Sequence, residues 1–215
     1  MLRNADDARF WNRAARKYAA GPIKDVAGYE RTLDRTRHFF SGTDTVLEIG
    51  CGSGTTALRL APHVARMVAT DLSSEMIAIA REKATAQACP NSEFATATLD
   101  RAPWPAGSFD AVLAFNVLHL IAERASALAH VHKLLKPGGL FISKTPCLAE
   151  MNPLFRVAVP LMQLFGKAPY VAFFTAAELA SRIEGAGFTI VEQATHGSTR
   201  KDGRIFVVAR KADET

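Results

Sequence analysis

The spacing of apolar and polar positions changes along the chain, and the change predicts the order of helices and strands. Near the N-terminus apolar residues recur at helical spacing, which predicts amphipathic helices over 6–19 and 25–40. From residue 45 onward, short apolar runs alternate with helical stretches. The predicted strands cover 45–49, 66–70, 92–97, 109–115, 140–144, 189–194 and 204–209. The predicted helices between them cover 55–60, 74–88, 122–135 and 175–186.

Strands that alternate with helices pair in parallel through right-handed crossovers, so the pattern predicts an α/β fold with a doubly wound sheet. Only a short polar connection, 195–203, joins the last two strands, and we therefore expect them to form an antiparallel hairpin. The predicted helices of 1–42 form an N-terminal helical cap, and 43–215 form the main domain. An apolar, lid-like insertion at about 148–174 interrupts that domain.

Composition and cysteine usage exclude several classes of protein. The chain has 215 residues, of which 48% are hydrophobic and 22% charged, as in globular domains. No run of 18 apolar residues is present, so we expect no membrane-spanning helix, and the N-terminus does not resemble a secretory signal. Cys51, Cys89 and Cys147 are too far apart for a disulfide framework or a metal cluster. We therefore expect a cytoplasmic protein without a bound metal.

The excess positive charge is concentrated near the N-terminus. The formal net charge is +5, and residues 1–40 hold 9 Lys and Arg against 5 Asp and Glu. A basic arm can favour nucleic acid, an anionic lipid surface or an acidic substrate. A solvated helix face with interspersed acidic residues is the alternative interpretation.

A glycine-rich turn follows the first predicted strand and points to a ligand site. The turn is Glu48-Ile49-Gly50-Cys51-Gly52-Ser53-Gly54. Asp71 stands at the end of the second strand and Asp100 follows the third. Ligands of doubly wound sheets bind at the carboxyl ends of the strands, where glycine lets them approach the backbone. Asp71 can accept hydrogen bonds from two ribose hydroxyls, and Asp100 can meet an adenine amino group.

The spacing of the turn separates it from other nucleotide-binding loops. Its glycines follow G-x-G-x-G, and Thr55 stands where a dinucleotide-binding loop has its third glycine. Glu48 would repel a pyrophosphate but suits a ligand that carries an ammonium group and a sulfonium. No Gly-Lys-Ser/Thr follows, which excludes a P-loop.

Four segments resemble motifs of class I S-adenosylmethionine-dependent methyltransferases, most closely the ubiquinone/menaquinone-biosynthesis-like branch. They are Val46-Leu47-Glu48-Ile49-Gly50-Cys51-Gly52-Ser53-Gly54, Asp71-Leu72-Ser73 with Met76, Leu99-Asp100 with Pro105-Ala106-Gly107-Ser108-Phe109-Asp110-Ala111-Val112, and Leu134-Leu135-Lys136-Pro137-Gly138-Gly139. The resemblance covers about residues 44–146. It implies a Rossmann-like methyltransferase fold, a seven-stranded sheet in the order 3-2-1-4-5-7-6 with an antiparallel last strand, and S-adenosyl-L-methionine as the cofactor.

The resemblance also implies roles for individual residues. The implied cofactor-binding residues are Glu48, Gly50, Gly52, Gly54, Asp71, Leu72, Met76, Leu99, Asp100 and Asn116. Within this set Glu48, Gly50 and Gly52 would line the methionine part. Asp71 would hold the ribose hydroxyls, and Asn116 would lie close to the methyl-bearing sulfur.

Two further residues are candidates for catalysis. His119 follows the fourth strand and is either a general base or a substrate contact, since histidine titrates near neutral pH. Tyr18, with Trp11, either covers the cofactor cleft or belongs to a helix that simply packs on the sheet.

The predicted function is methyl transfer from S-adenosyl-L-methionine to a small, hydrophobic or lipid-like acceptor, because the 148–174 segment is apolar and poor in charge. The same segment and the basic arm allow a peripheral membrane contact. The alternatives are a nucleic-acid methyltransferase, a non-catalytic cofactor-binding partner subunit and a nicotinamide-dependent oxidoreductase. A monomer and a homodimer are both compatible with the sequence.

Overall fold

The computed structural model describes residues 2–98, 104–199 and 202–213, which include one seven-stranded sheet. The strands are β1 (Thr45–Ile49), β2 (Arg66–Asp71), β3 (Ser92–Thr96), β4 (Phe109–Phe115), β5 (Leu135–Pro146), β6 (Phe188–Thr195) and β7 (Arg204–Lys211). Their order is β3-β2-β1-β4-β5-β7-β6, and β7 runs antiparallel to both β5 and β6. The predicted strand order and the antiparallel ending are therefore confirmed.

Seven α-helices flank the sheet in the described part of the chain. They are α1 (Leu2–Ala20), α2 (Val26–Arg37), α3 (Thr55–Leu60), α4 (Ser74–Ala86), α5 (Arg124–Leu134), α6 (Phe155–Leu164) and α7 (Ala176–Gly185). Side-chain caps fix three of the helix starts. Asp25 accepts a hydrogen bond from the Gly28 N–H, Ser73 accepts one from the Met76 N–H, and Thr175 forms a capping box with Glu178. None of the helices in the described ranges combines the length and the apolar character needed to cross a bilayer.

Strand β5 begins five residues earlier than the sequence pattern predicts. The predicted strand starts at residue 140, after a Lys-Pro-Gly-Gly turn, whereas the observed strand starts at Leu135. The extension rests on one pair, because Leu135 lies opposite Phe109 and the register with β4 resumes only at Leu140 opposite Ala111. Residues 136–139 are therefore an irregularity within the strand, where Gly138 has a φ of +71°.

The central strands are buried on both faces, as their continuous apolar sequences predict. One face of the sheet packs against α5 and α7, where Leu128 and Ile183 join the core around Phe141. The opposite face packs against α2, α3 and α4. Both layers leave the carboxyl ends of β1, β2 and β4 at one edge of the sheet.

Helix α1 packs on α4 at this edge. Ala15 is fully buried against Met76 and Ile79, and Trp11 packs on the same cluster. Trp11 thus packs between α1 and α4.

Candidate functional site

The glycine turn between β1 and α3 forms the floor of the candidate site. Its backbone is held to the next strand by the Cys51 N–H, which donates to the Thr70 carbonyl at 2.9 Å. Gly50 and Gly52 have φ values of +64° and +54°, a conformation that favours glycine. A Cβ on Gly50 would lie 2.4 Å from Val117 Cγ2, whereas a Cβ on Gly52 would have only Tyr18 Cε1 nearby, at 3.7 Å. The face of Gly52 is thus open to a ligand.

Gly54 has a different task from the other two glycines. It precedes α3 with φ of +74°, and a Cβ there would lie 2.7 Å from Ala80 Cβ and 2.8 Å from Phe94 Cε1. Gly54 therefore permits close packing between the turn, α4 and β3.

A lysine that the sequence reasoning missed also supports the turn. Lys83 of α4 donates from Nζ to the hydroxyls of Ser53 and Thr55, both at 2.9 Å.

Asp71 lies at the end of β2, beside the glycine turn. Its Oδ2 accepts the Gly52 N–H at 2.9 Å, and its Oδ1 accepts the Ser73 N–H at 2.8 Å. Burial raises the pKa of Asp71, while these hydrogen bonds and one from the Leu72 N–H oppose the rise. The carboxylate is thus held in place by the backbone at the position where the sequence predicts a ribose contact.

Glu48 is the second acidic group of the site and is almost completely buried. It is 2% exposed, and its Oε2 has no hydrogen-bond partner in the part of the chain that the structure describes. Burial, with the negative charge of Asp71, raises the pKa of Glu48 to about 8. A backbone hydrogen bond from Ala57 opposes this rise. The unpartnered buried oxygen is costly, and a cation beside it would restore the charged form of Glu48.

A cavity of about 960 Å³ opens beside the turn, at the upper end of the range for small-molecule sites. Gly50 and Leu72 line it, together with Thr70 of β2. The start of α5 closes the opposite side, which the sequence reasoning missed. The lining residues from that region are Leu120, Ile121, Ala122, Glu123, Ser126, Ala127, Ala129, His130 and Lys133.

Of the predicted cofactor-binding residues in the described part of the chain, only Gly50 and Leu72 line this cavity. Glu48, Gly52, Gly54, Asp71 and Asn116 are not among its lining residues. Met76 is 2% exposed and packs beneath α1 with Trp11 and Ala15, so it is not among the residues that line the cavity. Leu99 and Asp100 lie outside the described residues. The prediction that they bracket an adenine stays a prediction.

Asn116 stands at the end of β4 in an unusual conformation. Its φ is +54°, which asparagine tolerates better than most residues, and its N–H donates to the Lys144 carbonyl at 2.8 Å. The next residue, Val117, packs its side chain against Gly50 of the glycine turn.

Tyr18 borders the glycine turn, whereas His119 is not among the residues that line the cavity. Tyr18 is the residue of α1 nearest to the open face of Gly52. Partial burial raises the pKa of Tyr18, and the charges of Asp71 and Glu48 raise it further. Burial lowers the pKa of His119 to about 4, and its Nδ1 has no partner among the described residues. The positive charge of Arg204 acts on both side chains, so Arg204 of β7 belongs to the same region.

Comparison with known proteins identifies the family. A family model described as Methyltransferase domain matches residues 46–139. An uncharacterized methyltransferase YcgJ from Bacillus subtilis (strain 168) is 30% identical over 63% of this chain and 56% of its own length. The ubiquinone biosynthesis O-methyltransferase of Xanthomonas axonopodis pv. citri is 30% identical over 67% of this chain and 62% of its own length. Residues 46–139 therefore match a methyltransferase domain, and the similar curated proteins include S-adenosylmethionine-dependent methyltransferases.

Solved structures agree with this assignment at the level of the fold. Magnesium protoporphyrin IX methyltransferase (ChlM) from Synechocystis PCC 6803 with bound SAH has a TM-score of 0.70 at 21% identity, with 98% of each chain covered. The chain spans between 40% and 62% of the lengths of the curated relatives it is compared with.

The residues of the methyltransferase domain fit S-adenosylmethionine, the cofactor of this family. The open face of Gly52 admits a ligand to the backbone, and the unpartnered Glu48 Oε2 suits its positive charge. Asp71 supplies a fixed acceptor for hydroxyl groups. The described residues include no group of three or more His, Cys, Asp and Glu side chains placed to hold a metal ion.

The 148–174 segment borders the same cavity. The Ala172 N–H donates to the His119 carbonyl at 2.8 Å, and Phe174 is 2% exposed in the core. Tyr170 lines the large cavity. The segment is therefore attached to the loop after β4 and borders the cavity through its last third.

Proposed function

We propose that this protein transfers a methyl group from S-adenosylmethionine to a small, hydrophobic acceptor. The observation that carries the proposal is the position of Tyr170, which belongs to an apolar segment and lines the cavity that Gly50 and Leu72 also line. A hydrophobic acceptor would meet apolar side chains there and would be shielded from water. The ubiquinone biosynthesis O-methyltransferase relative supports an acceptor of this kind.

We assign the predicted cofactor residues to two ends of the site. Glu48, Gly50 and Gly52 would hold the methionine part, and Asp71 with Leu72 would hold the adenosine part. Asn116 would lie near the reacting sulfur. Gly54 and Met76 would act indirectly, by positioning the turn and α1.

The N-terminal residues 1–42 would cover the main domain, 43–215, as a cap. Asp7 lines the large cavity, and Tyr18 is the nearest neighbour of the open face of Gly52. The raised pKa of Tyr18 keeps its hydroxyl protonated at neutral pH, so it would act as a hydrogen-bond donor.

Methyl transfer of this kind requires little acid–base catalysis by the protein. S-adenosylmethionine supplies a methyl group that is already activated on a sulfonium. The acceptor's nucleophilic atom forms a bond to the methyl carbon while the carbon–sulfur bond breaks, and the electron pair stays on sulfur. A proton on the acceptor leaves to water or to a neutral base. The protein's residues orient the reactants and exclude water.

His119 would be a substrate contact rather than a strong base. With a pKa of about 4 it is neutral at physiological pH and can accept a hydrogen bond, but it binds a proton weakly. We expect His119→Ala to reduce kcat by less than about 100-fold, below the typical contribution of a general base, and to leave cofactor affinity unchanged. A larger loss of kcat at unchanged affinity would assign the base role to His119.

Methyl-labelled S-adenosylmethionine tests the proposal. The purified protein is incubated with the labelled cofactor and a cell extract, which is then separated into lipids, small polar molecules and polymers. We expect label in lipid-like or small aromatic material, and none with Asp71→Ala. Label in nucleic acid alone would contradict a hydrophobic acceptor. Cofactor binding without transfer to any fraction would identify a non-catalytic subunit.

A further inference from the structure

Helix α6 presents a continuous apolar stripe to solvent. Leu154, just before the helix, and Val157, Leu161 and Leu164 within it recur at helical spacing, so they share one face. Val157 is 70% exposed and Leu164 is 80% exposed. The helix has no buried residue at all. An exposed apolar surface of this kind marks an interaction site.

The stripe does not line either cavity of the site. The large cavity contacts the 148–174 segment only through Tyr170. A second cavity, of about 500 Å³, lies between α1 and the end of the segment and is lined from the segment by Gln163, Gly166, Ala168, Pro169 and Tyr170. The four stripe residues are absent from both lining sets. A bound acceptor in these cavities would therefore leave the stripe uncovered.

The charges around the stripe are basic. Residues 151–174 contain no Asp or Glu, and their two charged residues, Arg156 and Lys167, are both exposed. Arg9 and Arg13 of α1 line the second cavity opposite Gln163, so the basic N-terminal helix flanks the same segment. Asp6 and Asp7 line the same cavity and offset the charge of these two arginines. The basic excess beside the stripe is therefore that of Arg156 and Lys167 in the segment itself.

We propose that α6 docks the protein on a membrane surface that carries anionic headgroups, with the stripe inserted at the level of the acyl chains. An interfacial helix needs one apolar face and flanking lysine or arginine, and this segment has both. Pairing of two copies through α6 is less suited, because it would bring the basic residues of both copies together without acidic partners from the segment. The proposal does not depend on the identity of the methyl acceptor.

Vesicle co-sedimentation tests the docking. The full chain is mixed with vesicles of phosphatidylcholine alone or of phosphatidylcholine with phosphatidylglycerol. We expect binding to the anionic vesicles, weakened by salt, since each basic residue near an anionic surface adds to the attraction. Leu161→Gln/Leu164→Gln should lower the partition coefficient by roughly tenfold or more, because two apolar side chains lose their insertion.

Two further variants separate the contributions. Arg156→Gln/Lys167→Gln should reduce binding to anionic vesicles by roughly 10- to 30-fold and flatten its salt dependence. Val191→Gln is the matched control, because Val191 is 49% exposed on β6, and it should bind as the wild type does. Each variant's thermal melting confirms that it is folded.

Three results would overturn the proposal. They are no vesicle binding by the wild type, equal binding by the wild type and the stripe variant, and binding that is indifferent to phosphatidylglycerol. Sedimentation equilibrium tests the alternative of self-association. If the wild type forms a dimer and binds no vesicles, and the stripe variant is a monomer, then α6 is an interface between copies of this chain.

Discussion

Glu48 is expected to release a proton when the cofactor binds. In the structure its pKa is about 8, so about nine in ten copies are protonated at pH 7. A ligand that brings an ammonium and a sulfonium beside the carboxyl stabilises the ionised form. Binding at pH 7 should therefore release about 0.9 proton from Glu48, and about 0.1 at pH 9.

The same linkage sets the pH dependence of affinity. Below pH 8 the cofactor must first ionise Glu48, so its affinity should rise by up to about tenfold per pH unit between pH 6 and pH 8. At pH 7 most copies of Glu48 are protonated, so the cofactor affinity should be about 10-fold lower than at a pH where Glu48 is fully ionised. This difference corresponds to about 1.4 kcal/mol of binding free energy.

Titration calorimetry in buffers of different ionisation enthalpy measures the released protons directly. The ligand's own amino group titrates near pH 8 and can also release protons on binding. Its contribution is the same for the wild type and Glu48→Gln, so the difference in proton release between the two proteins reports Glu48 alone. The exposed Glu82, changed to Gln, serves as the control for charge alone. Equal proton release by the wild type and Glu48→Gln would refute the assignment.

Without the cofactor, Glu48 also makes the stability of the protein depend on pH. Its pKa in the folded state lies above its ordinary value of 4.5, so the folded state binds the proton more tightly than the unfolded state. The resulting stabilisation is complete below pH 4.5 and is lost as the pH rises to about 8. Glu48→Gln should remove this decline in the free energy of unfolding.

Three further substitutions test the site and its support. Asp71→Ala should lower cofactor affinity at least tenfold by calorimetry, because a carboxylate held by two backbone N–H groups is lost; unchanged affinity would remove Asp71 from the site. Gly50→Ala should lower the free energy of unfolding by more than about 1–2 kcal/mol in urea, since the positive φ alone costs that much and its Cβ would collide with Val117. Thr175→Ala should cost about 1 kcal/mol through the lost cap of α7 and leave cofactor affinity unchanged; a coupled loss of both would contradict a purely local role.

The sequence predicts the sheet well because its strand signals are strong and local. The apolar runs of β4 and β1 and the short link between β6 and β7 are visible without any tertiary information. The early start of β5 is not, since it depends on the pairing of Leu135 with Phe109, a residue far from it along the chain. The turn pattern around 136–139 corresponds to the irregularity between that pair and the next one, Leu140 with Ala111.

The site is predictable to the extent that it consists of strand ends. Gly50, Gly52 and Asp71 meet because the carboxyl ends of parallel strands share one edge of the sheet. The placement of Met76 beneath α1 and the proximity of Arg204 to His119 depend on how a helix and a hairpin pack from outside this edge. Motif resemblance assigns roles by position in the chain and carries no information about such packing.

Helix α1 and Asp71 are both hydrogen-bonded to one residue, Ser73. Ser73 donates its N–H to Asp71 and accepts the Met76 N–H at the start of α4. Its hydroxyl donates to Oδ1 of Asn12, on α1, at 2.6 Å. Because Ser73 is fully buried, these contacts do not compete with water. The residue that donates to Asp71 therefore also fixes α1 through Asn12, and we expect Ser73→Ala to loosen both contacts.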